Sequence, residues 1–137
     1  MQKLYTATAS AIGGREGRVQ TADNFLDLAI EMPKALGGRG GEGTNPEQLF
    51  AAGYAACFDS ALNLVARTER EKIGQTKVTS HVSIGKDDSG FGLSVVLEVH
   101  IPDVSEERAM ELVQKAHGVC PYSKAVKGNI EVELKIV

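Results

Sequence analysis

The sequence is poor in several things that would have decided its class. It has two cysteines among 137 residues, Cys57 and Cys120, too few for a disulfide-framed scaffold. It has no basic excess: 15 Lys and Arg stand against 18 Asp and Glu, for a net charge of −3. The basic residues are scattered, and a nucleic-acid footprint needs them gathered. The start, Met-Gln-Lys-Leu-Tyr-Thr, lacks an apolar run behind a basic segment, so no signal peptide is expected. The longest apolar run, Leu49 to Val65, is Ala-rich and broken by Asp59, Ser60 and Asn63, which reads as short for a membrane span. There is no internal repeat and no low-complexity tract. The remaining reading is a soluble, cytoplasmic protein that touches neither nucleic acid nor membrane. In that compartment two cysteines are more often thiols or catalytic groups than a permanent bridge.

What is present is ordinary globular material, 42% apolar and 24% charged, read as a single domain over residues 1–137. Residues 4–11 alternate as a strand, Gly13-Gly14 breaks it, and residues 17–20 resume it. Leu26, Leu28, Ile30 and Met32 mark a half-buried strand. Pro33 to Gly43 is a loop. A helix opens at Thr44-Asn45-Pro46-Glu47, with Thr44 and Glu47 as a capping box or Asn45 as cap, and runs to about Arg67. Val78 to Ile84 and Phe91 to Ile101 form a hairpin about "KDDSG". Ser105 caps a second helix ended by Gly118, Pro121 opens a short third, and Ile130 to Ile136 is the last strand. The order β-β-β-α-β-β-α-α-β predicts an α+β fold: one mostly antiparallel sheet with a long central helix.

That first helix has almost no polar face between Leu49 and Phe58. A helix apolar all round must be covered all round. A single sheet and one other long helix cover roughly one side, so a two-fold homodimer is expected.

The cysteines allow several readings. Cys57 lies mid-helix in "AACFDSAL", where a small buried thiol is ordinary packing. Cys120 directly precedes Pro121 at a helix start, where free N–H groups favour a thiolate, so the helix dipole points to Cys120 as the reactive sulfur. The two form a redox pair only if the fold joins them. Arg15 and Arg18, in the glycine-flanked "GGREGR", are either solvated loop residues or partners for a thiolate. His117-x-x-Cys120 has the spacing of half a metal site without further ligands, and His81 and His100 fall on polar strand faces. "GGRGGEGT" lacks the Lys-Ser/Thr ending of a phosphate loop.

The stretches "LYTATA", "GGREGR", "ALGG", "TNPEQLFAAGYAACF", "GFGL" and "AHGVCPYSKAVKGNI" together resemble the organic hydroperoxide resistance (Ohr) family within the OsmC superfamily. The resemblance spans nearly the whole chain. It implies an intertwined α+β homodimer with long cysteine-bearing helices at its centre. The implied activity is a thiol-dependent peroxidase that reduces alkyl and fatty-acid hydroperoxides to alcohols. It implies no metal or flavin cofactor, and regeneration by a dithiol reductant such as a lipoylated protein. By position, Cys57 matches the peroxidatic cysteine and Cys120 the resolving one, which reverses the dipole-based preference. Arg15 matches the arginine that activates the thiolate, and Glu47 the glutamate paired with it. Phe50, Tyr54, Phe58 and Tyr122 flank the cysteines and are candidates for an apolar substrate wall, with Met32 and the Pro33–Gly43 loop beside it.

Two positions depart from the family pattern. Asp59 follows "CF", where small or apolar residues are usual, and Lys124 stands where the Ohr branch often has Asn. They leave room for an OsmC-branch peroxidase of broader specificity; a non-catalytic redox sensor or apolar-ligand binder is the alternative from another class. Glu47 precedes Cys57 by ten residues, about 15 Å of helix at 1.5 Å per residue. Either the helix breaks near its start, or the Arg15–Glu47 pair meets Cys57 across a dimer interface, and the second is expected.

Overall fold

Six strands and three α-helices follow the predicted order in the computed structural model, which describes all 137 residues. The chain divides into two compact units, Met1–Leu49 and Phe50–Val137. Each carries its own three-stranded sheet, so the single sheet expected from sequence is in fact two.

The first unit is an antiparallel meander of β1 (Ala9–Ile12), β2 (Arg18–Thr21) and β3 (Asp27–Ala29). These strands are shorter than the alternating pattern implied, because little packs on them: Ile30 is the one buried apolar side chain in the unit. Leu4, Tyr5, Ile12 and Phe25 are all exposed. A tight turn joins β1 to β2 and carries Arg15 within a 3-10 turn, Gly14–Glu16. Gly13 there has φ 80°, and a Cβ on Gly17 would collide with the Ile12 carbonyl oxygen, so both positions require glycine. After β3, Ile30 bridges in parallel to Thr44.

Helix α1 (Pro46–Thr68) is continuous. Asn45 caps it, its Oδ1 accepting from the Gln48 amide at 2.8 Å, with Pro46 at the first helical position. Thr44 donates to the Gln48 side chain instead of forming the capping box. By length and composition α1 is long and apolar enough to cross a membrane, which the broken run in the sequence did not suggest. Its buried residues, from Tyr54 to Ala66, belong to the second unit, and all but Ala66 join its main apolar core.

That core lies against β4 (Lys77–Asp87), β5 (Gly90–His100) and β6 (Val132–Ile136). β4 and β5 form the antiparallel hairpin, with Asp88 and Ser89 as its turn, and β6 adds to β5 in parallel. Val95, Leu97 and Val99 point inward at period two. Helix α2 (Glu106–Val119) contributes Ala109, Leu112, Val113 and Ala116, and Ser105 caps it as expected. Helix α3 (Pro121–Val126) follows after one residue, Cys120. Asp59 is used structurally. With Asn63 it hydrogen-bonds Thr76, fastening the approach to β4 onto α1. Arg108 binds Glu69, Glu71 and Glu111, joining α2 to the segment after α1.

The α1 face opposite the core is bare in the single chain. Ala52, Ala56, Ser60 and Leu64, spaced four apart, are exposed. Leu62, by contrast, is wholly buried. Leu62→Ala is expected to lower unfolding stability by about 2–5 kcal/mol, read from the urea midpoint.

Candidate active site

Cys57 sits on α1, and Cys120 is at once the last cap of α2 and the first cap of α3. The fold brings them together across 63 residues, with Cys120 Sγ donating to Cys57 Sγ at 3.7 Å. Both are free thiols; Cys57 is half-buried and Cys120 fully buried. A disulfide needs about 2.05 Å, so the sulfurs must approach by roughly 1.7 Å to bond.

Burial is the main influence on the Cys57 thiol and pushes its pKa up. The Tyr122 backbone amide opposes this, while the hydrogen bond and charge of Cys120 add to it. From sequence, the amides at the start of α3 were expected to serve Cys120. The Tyr122 amide, in the first turn of α3, acts on Cys57, where it lowers the pKa.

The four candidate aromatic residues form one cluster. Phe50, Tyr54 and Phe58 follow each other at four-residue steps on α1, with ring centroids 6.1 and 6.5 Å apart. Tyr122 packs on Phe50 at 6.0 Å and on Tyr54 at 5.7 Å. Tyr54 and Phe58 are fully buried core residues, whereas Phe50 is half-buried and Tyr122 is 37% exposed. Gly53 makes room for this arrangement: a Cβ there would lie 2.5 Å from the Tyr122 hydroxyl.

Beneath the cluster runs a buried polar chain. Tyr54 Oη and Ser123 Oγ are 2.7 Å apart, and Ser123 Oγ and His117 Nδ1 are 2.9 Å apart. Burial raises the Tyr54 pKa and lowers that of His117. His117 is thus engaged with Ser123. His81 meets Glu98 at 3.3 Å and His100 meets the Val137 carbonyl.

Within the first unit, Arg15 and Glu47 form a bidentate pair. Arg15 Nη1 donates to Glu47 Oε2 at 2.8 Å and Nη2 to Oε1 at 2.6 Å. The guanidinium holds the Glu47 carboxyl below its usual range. Arg18 takes a different partner, Asp27.

A family model described as OsmC-like protein matches residues 38–135. Organic hydroperoxide resistance protein OhrA of Bacillus subtilis is 57% identical over 138 residues, covering 98% of this chain and 97% of its own. The chain belongs to the Ohr family of the OsmC superfamily. Another Ohr relative, the organic hydroperoxide resistance protein of Xanthomonas axonopodis pv. citri, is 51% identical over 97% of this chain and 94% of its own. The crystal structure of an organic hydroperoxide resistance protein from Elizabethkingia anophelis, with crystallant-derived thiocyanate bound, matches with TM-score 0.94 and 52% identity, covering 99% of this chain and 98% of that one.

Around "CPYS" lie residues that sequence reasoning passed over. Ser123 was not singled out, and His117 was weighed only as a metal ligand; no period or spacing marks a hydrogen bond between residues 69 apart, such as Tyr54 to Ser123. Gly53 likewise gave no signal within an Ala-rich helix.

The lowered Glu47 pKa fixes a sign. Its contribution to stability is present above the ordinary value of 4.5 and is lost as pH falls through the depressed folded value. The gap in denaturation midpoint between the wild type and Glu47→Gln is therefore expected to be open at pH 7 and to narrow in that acid range.

Proposed function

We propose that the protein is a thiol-dependent peroxidase that reduces organic hydroperoxides, alkyl and fatty-acid, to alcohols. The observation that carries this reading is the 3.7 Å approach of the two free thiols, one reachable and one buried. The relatives' names supply the substrate class.

The Cys57 thiolate attacks the distal peroxide oxygen; the O–O bond breaks, and the alkoxide leaves and takes a proton as the alcohol. Cys57 becomes a sulfenic acid. The Cys120 sulfur then attacks the Cys57 sulfur, releasing water and leaving a Cys57–Cys120 disulfide. An external dithiol, such as a lipoylated protein of a reducing cytoplasm, restores both thiols and becomes oxidised itself. The cycle calls on sulfur chemistry alone.

Burial raises the Cys57 pKa, so a working thiolate calls for a cation. Arg15, oriented by Glu47, is our candidate, and it would also stabilise charge on the peroxide oxygens. Ten residues of unbroken helix separate Glu47 from Cys57, about 15 Å, so we assign the Arg15–Glu47 pair to the Cys57 of a second subunit. The bare α1 face and the nearly coreless first unit support a homodimer. Phe50 and Tyr122 offer an apolar wall to the substrate, backed by Tyr54 and Phe58.

With cumene hydroperoxide and dihydrolipoamide, the wild type is expected to turn over repeatedly and faster than with hydrogen peroxide. Cys57→Ser should abolish turnover; Cys120→Ser should stop after one oxidation and overoxidise. Comparable wild-type rates for both peroxides would mean that no apolar wall selects the substrate. Mixed dimers of Cys57→Ser and Arg15→Ala subunits should regain activity that neither homodimer has; no recovery would refute shared sites.

A further inference from the structure

Ser123 is nearly fully buried and bonded on both sides. One neighbour is Tyr54 of α1 at 2.7 Å, the other His117 of α2 at 2.9 Å. With His117 as the Nε2–H tautomer, Ser123 donates to its Nδ1 and accepts from Tyr54; with the Nδ1–H tautomer both bonds reverse, and the Ser123 hydroxyl is paired on both sides in either case. The clamp therefore joins α1, α2 and α3 at one hydroxyl.

Its place in the chain gives it leverage. Ser123 lies three residues after Cys120 and one after Tyr122, whose amide acts on Cys57. Cys120 lies at the junction of α2 and α3, where backbone hydrogen bonding passes from one helix to the next. The ring of Tyr122 is held against α1 by the gap at Gly53. Without the Ser123 hydroxyl, apolar packing and the contacts to Cys57 would hold the first turn of α3 on α1, with no strong directional bond between the two helices.

We propose that Ser123, bonded to Tyr54 and His117, is a positioning residue that holds the first turn of α3 against α1 and so sets the effective concentration of the Cys120 thiol at Cys57. The proposal rests on the dithiol reading for its use in turnover, but its test does not need turnover. In that test two thiols lose two electrons and two protons to an oxidant, oxidised dithiothreitol, which is reduced to the dithiol as the S–S bond forms.

The test equilibrates full-length wild type, Ser123→Ala, Ser123→Thr and Tyr54→Phe in dithiothreitol redox buffers and measures the Cys57–Cys120 disulfide by mass spectrometry. Loss of one buried hydrogen bond predicts a fall of about fivefold in effective concentration for Tyr54→Phe, and Ser123→Ala, which loses both bonds, should fall at least as far. Ser123→Thr, which keeps the hydroxyl, should stay near the wild type. After one equivalent of cumene hydroperoxide, the alanine variant should also close its disulfide more slowly than it forms sulfenic acid. Should Ser123→Ala fail to fold, Tyr54→Phe decides alone, because it removes only an oxygen. Unchanged equilibria in the folded variants overturn the proposal. A wild type that forms the disulfide in these buffers yet consumes no hydroperoxide defeats the peroxidase reading; the shifts among the variants then decide the positioning role by themselves.

Discussion

An α-helix repeats every 3.6 residues and rises 1.5 Å per residue, and in α1 those two figures govern the site. The period places Phe50, Tyr54 and Phe58 in one row, with Tyr54 and Phe58 sealed in the core. It leaves Cys57 beside that row, half-buried, where Cys120 can reach it. It puts Ala52, Ala56, Ser60 and Leu64 on the bare side. The rise keeps Glu47 a long way along the axis from Cys57. Catalysis by one rigid helix, in the reading proposed, thus calls for a second chain to complete it.

The two thiols differ in exposure. A sulfur that meets substrate must be reachable, and one that waits for a sulfenic acid is better hidden from peroxide. Cys57 is half-buried and Cys120 wholly so, which fits the roles carried over from the Ohr resemblance. The dipole argument for Cys120 meets a different arrangement in the structure. It assumed that the N-terminal amides of α3 serve the residue that caps it. The cap's own side chain makes no such bond, and the Tyr122 amide favours a thiolate on Cys57.

Much of the fold was legible because its signals are local. Asn45-Pro46 and Ser105 open helices by short-range capping, and Val95, Leu97 and Val99 alternate because one face of β5 is covered. The division into two sheets was not legible, since alternation marks a strand and not its partner. The β1–β3 pattern overstated strand length for the same reason: Leu4 and Ile12 alternate correctly but lie exposed. In the site, the resemblance named the cysteines and the Arg15–Glu47 pair, and the fold brings the members of each pair together. Ser123, His117 and Gly53 were invisible in these roles because the bonds and contacts that define them join separate helices.

The first unit raises a problem of stability that the second does not. Its 49 residues bury one apolar side chain, Ile30, while Leu4, Tyr5, Ile12 and Phe25 remain outside. A segment of that size rarely folds on so little burial. The Arg15–Glu47 pair is bidentate, but ion pairs near the surface contribute modestly and offer no substitute for a core. Apolar surface of this extent is stabilised by cover, and an intertwined second copy would supply it along the bare face of α1 as well. In such an assembly Arg15, the proposed activator of the thiolate, rides on the unit that most depends on the partner. Activation of Cys57 and folding of the first unit would then be linked to the same association, and both would rise with protomer concentration.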